Sequence, residues 1–521
     1  MIHADANGLY HPENEDQIAE LIRFAVQNNL QVRVRGAAQS VPEAVFSDGY
    51  DPAAPDPTVK NINILLDQMR TATFDDTAMQ VTVGGGCNLG FDPFDPSETS
   101  THANSLFAQL SQKGWAIPNV PDAIHQTVAG FLSTGSSGCT SVHAFDSCVV
   151  AIRLVDGTGT VRTFARSNDP DDPFFGTVAS LGLLGVITSV TLQCVPAFDI
   201  IGQEAVTSVN ECAFDFFGSG TPVRPSLQAH FAQTEYARLL WWPYQTLQRV
   251  ISWQARAMQQ SDYNQATGTP QNFHPKPYQP VFHKVLGSTL PSEVAAGVGY
   301  SLLASWPQWL YDLLGNDPEL NEIENVLSSL FPAMYPLLCD MYFPINSDKH
   351  PKQVFWDTWS GSLPMDRIEF SNHLMPLKYT EMWIPIGMAE KAVNVMQGFY
   401  EKGGFAATGF YTVEVLAAKQ SDFWLSPGYG QDALRFNFMW FARGAGDPTP
   451  YYQQFWDLFK QNDIPYRLHW GKFLPPADSA EGAKYLQAQY PRWGHFMRLR
   501  QQMDPHGIFL NSYWKNHLGI A

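Results

Sequence analysis

The amino-acid sequence predicts a fold of the α+β class with more than one domain. At 521 residues the chain exceeds the size that a single hydrophobic core usually reaches. Residues 1–197 alternate short strands and helices that meet at glycine-rich joints. Residues 198–285 and 377–442 are aromatic and strand-like, and a largely helical insert, 287–343, separates them. The change of pattern after Pro196 marks the end of a first domain.

The first domain opens with an amphipathic helix at residues 14–29. Its apolar residues Ile18, Leu21 and Ile22 share one face, and acidic residues occupy its first turn. The elements predicted next are strands at 31–36, 61–69 and 78–86, a helix that ends at Gly114, a hairpin at 148–164, and a glycine-punctuated helix with a last strand in 167–196.

Residues 114–138 form the stretch around which we expect the chain to be organised. They hold four glycines and a run of Ser and Thr, without a lasting helical or strand period, which favours extended and turned backbone. Gly130, Gly135 and Gly138 allow the backbone to approach a flat or anionic ligand, to which nearby amides donate. The alternative is a surface loop rich in Gly and Ser.

The second domain is predicted to be built on strands. They are expected at 236–244, 377–387, 410–418 and 433–442, with a helix at 451–462. Residues 301–315 are apolar over most of one helical face. We expect this helix to be buried against a neighbour or in the interface of a homo-oligomer rather than to contact a membrane.

Composition excludes several classes of function. The net charge of −18 argues against nucleic acid or an anionic membrane surface as partner, because phosphate backbones require a basic surface. Aromatic residues make up 13% of the chain, which suits aromatic-lined cavities. The six cysteines show no zinc-like spacing, so we predict reduced thiols and no metal site. No leader pattern and no spanning segment of 18 apolar residues is present, and a cytoplasmic protein is the expectation.

Several motifs, in a fixed order, resemble those of one family of flavoproteins. They comprise Arg35-Gly36-Ala37-Ala38-Gln39-Ser40; Pro118, Asn119, Pro121, Asp122, Gln126, Thr127, Val128, Gly130, Thr134 and Gly135; Ser180-Leu181-Gly182 with Gly185-Val186-Ile187; His469-Trp470-Gly471-Lys472; and Asp504, Pro505, Gly507, Phe509 and Asn511. Together they resemble the vanillyl-alcohol-oxidase superfamily, with its FAD-binding fold of the PCMH type. Within it the chain is most similar to the aldonolactone oxidase and alditol oxidase branch.

The resemblance implies the architecture and the cofactor. It implies a two-subdomain FAD-binding domain at 1–197, and a substrate-binding cap domain at 198–465 on an antiparallel sheet flanked by helices. A C-terminal segment, 466–521, returns to the FAD-binding domain. The residues implied to bind FAD are Arg35, Gly36, Ala37, Ala38, Gln39, Ser40, Pro121, His125, Thr127, Val128, Gly130, Thr134, Gly135, Ser137, Gly138, Gly182, Gly185, Ile187 and Lys472.

Two departures from the family pattern concern covalent attachment of the flavin and the substrate. The histidine that tethers flavin in many members is Gln39 here, and the second tethering position is His125. We therefore predict FAD held without a covalent bond, with a tether from His125 as the alternative. The branch's Glu-x-Arg appears as Glu414-Val415-Leu416, so a cation of the pocket is replaced by leucine and we expect a more apolar site.

The catalytic residues implied by the resemblance are Glu414, Lys472 and His469. Lys472 supplies positive charge beside the flavin, Glu414 orients or deprotonates the substrate hydroxyl, and His469 acts as donor or base. The alternatives are a surface Lys472, a Glu414 paired structurally with Lys419, and a His469 packed in the core. The residues predicted to line the substrate pocket are Cys139, Glu381, Trp383, Leu416 and Lys419.

These features lead to three hypotheses for function. The first is an FAD-dependent alcohol oxidase or dehydrogenase that transfers hydride from a CH–OH group to flavin N5. Its small-molecule substrate is bulky and of natural-product type, and its electron acceptor is O₂ or another compound. The second keeps the sugar lactone or alditol of the branch, with Lys419 in place of the lost arginine. The third is a flavin fold that keeps FAD for structure without redox turnover.

Overall fold

The fold is α+β, and its largest sheet is antiparallel, as the sequence predicted. The computed structural model describes residues 2–243, 247–264, 267–279, 336–337, 339–340, 343–364, 376–403, 412–442, 447–476 and 480–520. The predicted helical insert, 287–343, lies almost wholly outside the described residues, as does its apolar stretch 301–315. In the described part of the chain, no helix is both long and apolar enough to cross a membrane.

The strands, numbered in chain order, are β1 (Leu9–Tyr10), β2 (Val32–Arg35), β3 (Ile62–Leu65), β4 (Ala72–Asp75), β5 (Gln80–Gly84), β6 (Trp115–Ala116), β7 (Val149–Val155), β8 (Val161–Ala165), β9 (Val186–Gln193), β10 (Val195–Pro196), β11 (Asp199–Ser208), β12 (Tyr236–Trp242), β13 (Arg249–Ala257), β14 (Gln353–Thr358), β15 (Leu377–Pro385), β16 (Val413–Ala418), β17 (Ala433–Phe441) and β18 (Arg467–Leu468). The α-helices are α1 (Glu15–Asn28), α2 (Pro42–Val45), α3 (Leu106–Lys113), α4 (Val128–Ser133), α5 (Leu227–Gln233), α6 (Trp359–Ser362), α7 (Ala389–Gly403), α8 (Thr449–Gln461), α9 (Ala480–Ala488), α10 (Trp493–Met503) and α11 (Ser512–Leu518).

The first 197 residues contain a small parallel sheet and a larger antiparallel one. The parallel sheet has the order β1-β3-β2, and α1 packs Ile18, Leu21 and Ile22 into the same core. The Asn14 side chain caps α1 by accepting from the Gln17 amide. The antiparallel sheet has the order β4-β5-β9-β7-β8 and includes the predicted hairpin of β7 and β8.

Two local predictions in this region are wrong. The helix predicted within 167–196 is replaced by one short 3₁₀ turn, Pro173–Gly176, and by turns in which Ala179, Leu181 and Gly182 have positive φ. A right-handed helix cannot pass through such backbone. The stretch 114–138 was expected to lack regular structure, but it contains α4, because Thr127 caps the Gly130 amide.

Strands β6 and β10 pair with each other in a two-stranded antiparallel sheet, and the other strands form one antiparallel sheet of eight strands, ordered β14-β11-β13-β12-β16-β17-β15-β18. Helices α7 and α8 pack together, with Phe399 and Tyr400 of α7 against Phe455 of α8. Strand β18 still belongs to this sheet, and soon after it Gly471 accepts a hydrogen bond from the Val41 amide of the first region.

The 114–138 stretch and its continuation join the two regions. The Ala237 amide of β12 donates to the Cys139 carbonyl, and Thr140 bridges Ala418 of β16. From the other side, the Trp424 amide in the β16–β17 loop donates to the Phe175 carbonyl. One face of the large sheet is thereby held against the glycine-rich loops of the first region.

Candidate active site

A cavity of about 380 Å³ lies between the glycine-rich loops and the large sheet. Its two walls are chemically different. We call one the backbone wall, because it includes the tightly packed glycines Gly85 and Gly86; its other lining residues fall within 33–40, 121–137 and 181–187. The other consists of side chains from β12, β15, β16 and β17, closed at one end by residues 469–472.

The loop of residues 36–40, between β2 and α2, offers backbone donors to the cavity. Ala38 has φ +53°, which turns the chain sharply. Among the residues that the structure describes, the amides of Ala37, Ala38 and Ser40 find no acceptor. Ala37 and Ser40 are half-buried and Ala38 is exposed, so their amides are accessible to a ligand in the cavity.

The glycines Gly85 and Gly86 allow the backbone to form the neighbouring part of this wall. A Cβ on Gly85 would lie 2.2 Å from the Ile187 carbonyl oxygen, and one on Gly86 would lie 1.8 Å from the Leu66 carbonyl oxygen. No side chain fits at either position. The three glycines that close strand 78–86 were visible in the sequence, but their place in the site was not predicted.

A buried arginine that the sequence analysis missed, Arg33, places positive charge at the same wall. Its guanidinium donates to the carbonyls of Ala44, Leu181 and Phe509, and no carboxylate among the described residues lies within ion-pair distance. Burial lowers its pKa to about 10, which still leaves it charged at neutral pH. Unpaired amides and an uncompensated cation together fit the diphosphate of FAD.

Most residues predicted to bind the cofactor line this cavity. They are Arg35, Gly36, Ala37, Ala38, Gln39, Ser40, Pro121, Thr127, Gly130, Thr134, Ser137, Gly182, Gly185, Ile187 and Lys472.

Four predicted cofactor residues do not line the cavity. Val128 is a core residue of α4, and Gly135 packs against Pro427. The Gly138 amide donates to Asn119 at 2.9 Å, so it serves the protein rather than a ligand. His125 is buried with its Nδ1 atom 3.1 Å from the Phe91 carbonyl oxygen. These positions support the wall from behind.

Position 416 carries no charge, as expected, but the wall around it does. Leu416 lines the cavity, but its direct partners across the two neighbouring strands are Arg238 on β12 and Arg435 on β17. Paired residues point to the same face of a sheet, and both arginines also line the cavity. We call Arg238, Leu416 and Arg435 the arginine row. The charge comes from two strands that the motif does not include.

The adjacent row carries the acids and consists of Leu240, Glu414, Asn437 and Glu381, which we call the carboxylate row. The Asn437 amide donates to Glu414 Oε2 at 2.6 Å, and Arg238 Nε lies 3.1 Å from Glu414 Oε1. Glu414 therefore pairs with Arg238. The alternative interpretation, a structural pair of Glu414 with Lys419, is wrong.

Glu381 is held in the same manner. It accepts from Arg435 Nε at 2.8 Å and from the indole of Trp383, also at 2.8 Å. Burial alone would raise the pKa of Glu381, but the charge and hydrogen bond of Arg435, together with the nearby Lys472 and His469, lower it below its usual value. The row thus presents two carboxylates, each paired with its own arginine.

Lys472 and His469 close the end of the cavity next to residues 36–40. Lys472 Nζ donates to the Gln39 carbonyl at 3.2 Å and lies over the Tyr379 ring. Burial lowers its pKa to about 8, and it is not the surface lysine of the alternative interpretation. His469 is buried, and burial lowers its pKa to about 4.

The hydrogen bonds of His469 define its tautomer. Its Nδ1 accepts from the Gly471 amide at 3.1 Å, so Nε2 carries the hydrogen and donates to Ser136 Oγ at 2.8 Å. Ser136 Oγ lies 2.9 Å from Thr134 Oγ1. A neutral imidazole with both nitrogens engaged is a donor that orders the loop, and it does not suit the role of base.

Three residues predicted to bind substrate stand outside the cavity lining. The Cys139 side chain is buried, and Trp383 is covered and hydrogen-bonded to Glu381. Lys419 pairs with Asp432 at 3.1 Å and does not replace the missing arginine. Glu381 and Leu416 do line the cavity.

Beyond the carboxylate row the same face of the sheet becomes apolar. We call this part the apolar end, and its residues are Trp242, Phe343, Leu377, Tyr379, Met439 and Phe441. The register explains the change, because Tyr379 pairs with Met439 and Leu377 with Phe441. One cavity wall is therefore charged at one end and apolar at the other.

Comparison with known proteins indicates a flavin-dependent oxidoreductase. Residues 304–517 match the model of the D-arabinono-1,4-lactone oxidase family, and residues 98–165 match an FAD binding domain. L-gulonolactone oxidase of Mus musculus is 24% identical over 97% of this chain and 93% of its own length. Alditol oxidase of a Streptomyces species is 24% identical over 89% and 87%. Cholesterol oxidase from B. sterolicum shares the fold with a TM-score of 0.69, at 15% identity over 98% and 94%.

The cavity and these matches together define an FAD-dependent oxidoreductase that acts on CH–OH groups. More specifically, it is of the aldonolactone and alditol oxidase type, and it shares its fold with the cholesterol oxidase.

Proposed function

We propose that this enzyme oxidises a CH–OH group of a hydroxyl-rich compound of the aldonolactone or alditol class. The arginine and carboxylate rows carry the proposal. Arg238, Asn437 and Glu414 present donors and acceptors on one cavity wall, which suits a substrate with several hydroxyl groups. The names of the relatives, which denote lactone and alditol oxidases, favour the same class.

The chain's own residues divide the chemistry between them. FAD, when bound, accepts the hydride that leaves the substrate carbon. Glu414 takes the hydroxyl proton, because its carboxylate faces the cavity and its geometry is fixed by Arg238 and Asn437. Lys472, anchored on the Gln39 carbonyl, places positive charge at the closed end of the cavity, where negative charge then develops.

Two further features complete the proposal. FAD is held without a covalent bond, since Gln39 has no nucleophilic ring nitrogen and His125 does not line the cavity. O₂ or another compound would serve as the electron acceptor. The test is an absorbance spectrum taken after acid precipitation of the protein. We expect the flavin to appear in the supernatant and not in the pellet.

The second candidate is a bulky substrate with a large apolar group, and the apolar end favours it. Trp242, Tyr379 and Met439 continue the wall directly beyond the carboxylate row. A hydrocarbon or aromatic group attached to the reacting alcohol would be removed from water there. Glu414, Arg238 and Lys472 would have the same roles in the oxidation of such a compound.

Anaerobic mixing with a matched panel distinguishes the two candidates. The panel pairs free alditols and aldonolactones with their alkyl- or aryl-substituted forms, and bleaching of the flavin is the readout. Bleaching by the free compounds supports the first candidate, whereas bleaching by substituted forms alone supports the second. No bleaching by any hydroxyl compound would contradict both.

The same assay tests the role of Glu414 as the group that takes the hydroxyl proton. Glu414→Gln should slow bleaching by about 10²- to 10⁴-fold, because proton removal by a placed carboxylate contributes on that order. Glu211→Gln, at an exposed glutamate outside the cavity, is the matched control and should behave as the parent protein.

A further inference from the structure

We propose that Arg238 of β12 is the residue that positions the carboxylate of Glu414. Its guanidinium supplies the positive charge that Leu416, its partner on β16, lacks. This inference rests on the proposed function, in which Glu414 takes the hydroxyl proton. Arg238 itself was not among the residues predicted from the sequence.

The first support is the register of three strands. Arg238 of β12 and Leu416 of β16 are direct partners, and Leu416 is in turn the partner of Arg435 of β17. Directly opposed residues in an antiparallel pair hold their Cβ atoms about 5 Å apart and on the same face. A guanidinium from position 238 therefore enters the same part of the cavity as one from position 416 would.

The second support is the division of labour among the cations of this wall. Arg435 is engaged by Glu381 and by the carbonyls of Ser137 and Gly138. Lys472 is anchored on Gln39. Of the cations that the structure describes on this wall, Arg238 is the one that forms an ion pair with Glu414, at 3.1 Å.

The third support is burial. The side chains of Arg238 and Glu414 are only 18% and 11% exposed, so water does little to stabilise either charge. Truncation of one partner would leave the other charge buried with fewer partners, which is costly. Asn437 would remain as a donor to Glu414, but an amide supplies no net charge.

The test compares Arg238→Leu with the exchange variant Arg238→Leu/Leu416→Arg. For Arg238→Leu we expect the acidic limb of the pH profile of anaerobic flavin bleaching to move upward by about 1 to 3 pH units, the usual effect of one close opposite charge. The exchange variant returns a guanidinium to the same face, so its profile should move back toward that of the parent. Arg256→Leu, which removes an arginine outside the cavity, is the matched control.

A second readout does not depend on turnover. Infrared difference spectra over the same pH range should show the protonated carboxyl band of Glu414 appearing at higher pH in Arg238→Leu than in the parent. The band is assigned by its loss in Glu414→Gln. Flavin content and melting temperature are measured for each variant, and Arg238→Gln replaces Arg238→Leu if the latter does not fold.

The outcomes separate this inference from the proposed function. An unchanged pH profile and carboxyl band in folded Arg238→Leu would overturn the inference, as would an exchange variant no closer to the parent than the single variant. A parent protein whose flavin no hydroxyl compound bleaches would instead overturn the proposed function. The infrared readout would still decide whether Arg238 controls the charge of Glu414.

Discussion

The two walls of the cavity are built on different principles. The wall from the first region depends on backbone at its tightest places, where the residues are close in sequence, as in 36–40 and 85–86. The wall from the large sheet is side chain, and its arginine row draws on positions 238, 416 and 435, far apart in the chain. A backbone wall requires particular small residues at fixed local spacing, whereas a side-chain wall requires only that strand register bring suitable groups together.

The largest effect is expected where the backbone wall is closed most tightly. Gly86→Ala places a Cβ 1.8 Å from the Leu66 carbonyl oxygen, so the backbone must move. We expect a loss of about 3 kcal/mol or more in the free energy of unfolding, and little bound flavin. Chemical denaturation and flavin content per chain are the measurements.

A glycine elsewhere provides the control for this prediction. Gly398 lies in α7, and a methyl group added to it would meet no described atom within 4 Å. Gly398→Ala should therefore be neutral or stabilising by up to about 1 kcal/mol. If Gly86→Ala kept normal flavin content and stability, the backbone wall would not be as tight as its geometry indicates.

The contrast between the walls explains what the sequence predicted well. The loop of residues 36–40 and positions Thr127 and Gly130 were found because close approach to a ligand constrains residue type over a short segment. Helix α1 and the β7–β8 hairpin were predicted because their patterns are local. The helix expected within 167–196 is not observed, because glycines also mark turns in which φ is positive.

The side-chain wall was predicted only in part. Glu414 and Lys472 were found through motifs, but Arg238 and Arg435 were not, because their meeting with Leu416 depends on register between distant strands. A weak signal was present. Arg435 and Asn437 are polar residues at i and i+2 of an otherwise apolar strand, which places both on one face.

The second prediction concerns the side-chain wall. Lys472→Met should slow flavin bleaching by about 10²- to 10³-fold, since a placed charge of this kind contributes on that order. In the parent, the rate should fall as pH rises through about 8, because Lys472 loses its proton there. That limb should be absent from the variant in stopped-flow measurements over a pH series.

Lys419 gives the matched control for Lys472. It is also a lysine of this region, but it pairs with Asp432 outside the cavity lining. Lys419→Met should therefore leave both the rate and the pH limb unchanged. Equal losses in the two variants would mean that general charge, and not the position of Lys472, supports the reaction.

The third prediction concerns the seam between the two walls. Asp146, which precedes β7, accepts a hydrogen bond from Ser421 in the β16–β17 loop, and burial raises its pKa from 3.8 to about 6. The folded state thus binds this proton more tightly than the unfolded state. The resulting contribution to stability is full below a pH of 3.8 and is lost as the pH rises from there through about 6.

Asp146→Asn removes this titration and keeps an oxygen that accepts from Ser421. Between about pH 4 and pH 8, the free energy of unfolding of the variant should rise relative to that of the parent by about 2 to 3 kcal/mol. The reason is that only the parent buries a charged carboxylate at the higher pH. Melting temperatures at both pH values, taken as the difference between variant and parent, are the measurement. A difference independent of pH would show that Asp146 does not titrate in this range.

The smallest effect on cofactor retention is expected at His125, which lies behind the backbone wall. If that wall holds FAD through amides and Arg33, no covalent bond from this ring is needed. His125→Leu should cost about 1 kcal/mol of stability through the lost bond to the Phe91 carbonyl, yet retain its flavin. Acid precipitation should release flavin from parent and variant alike. A yellow pellet from the parent and a colourless one from the variant would instead identify His125 as a covalent tether. Part of the cofactor's attachment would then depend on a side chain and not on the backbone.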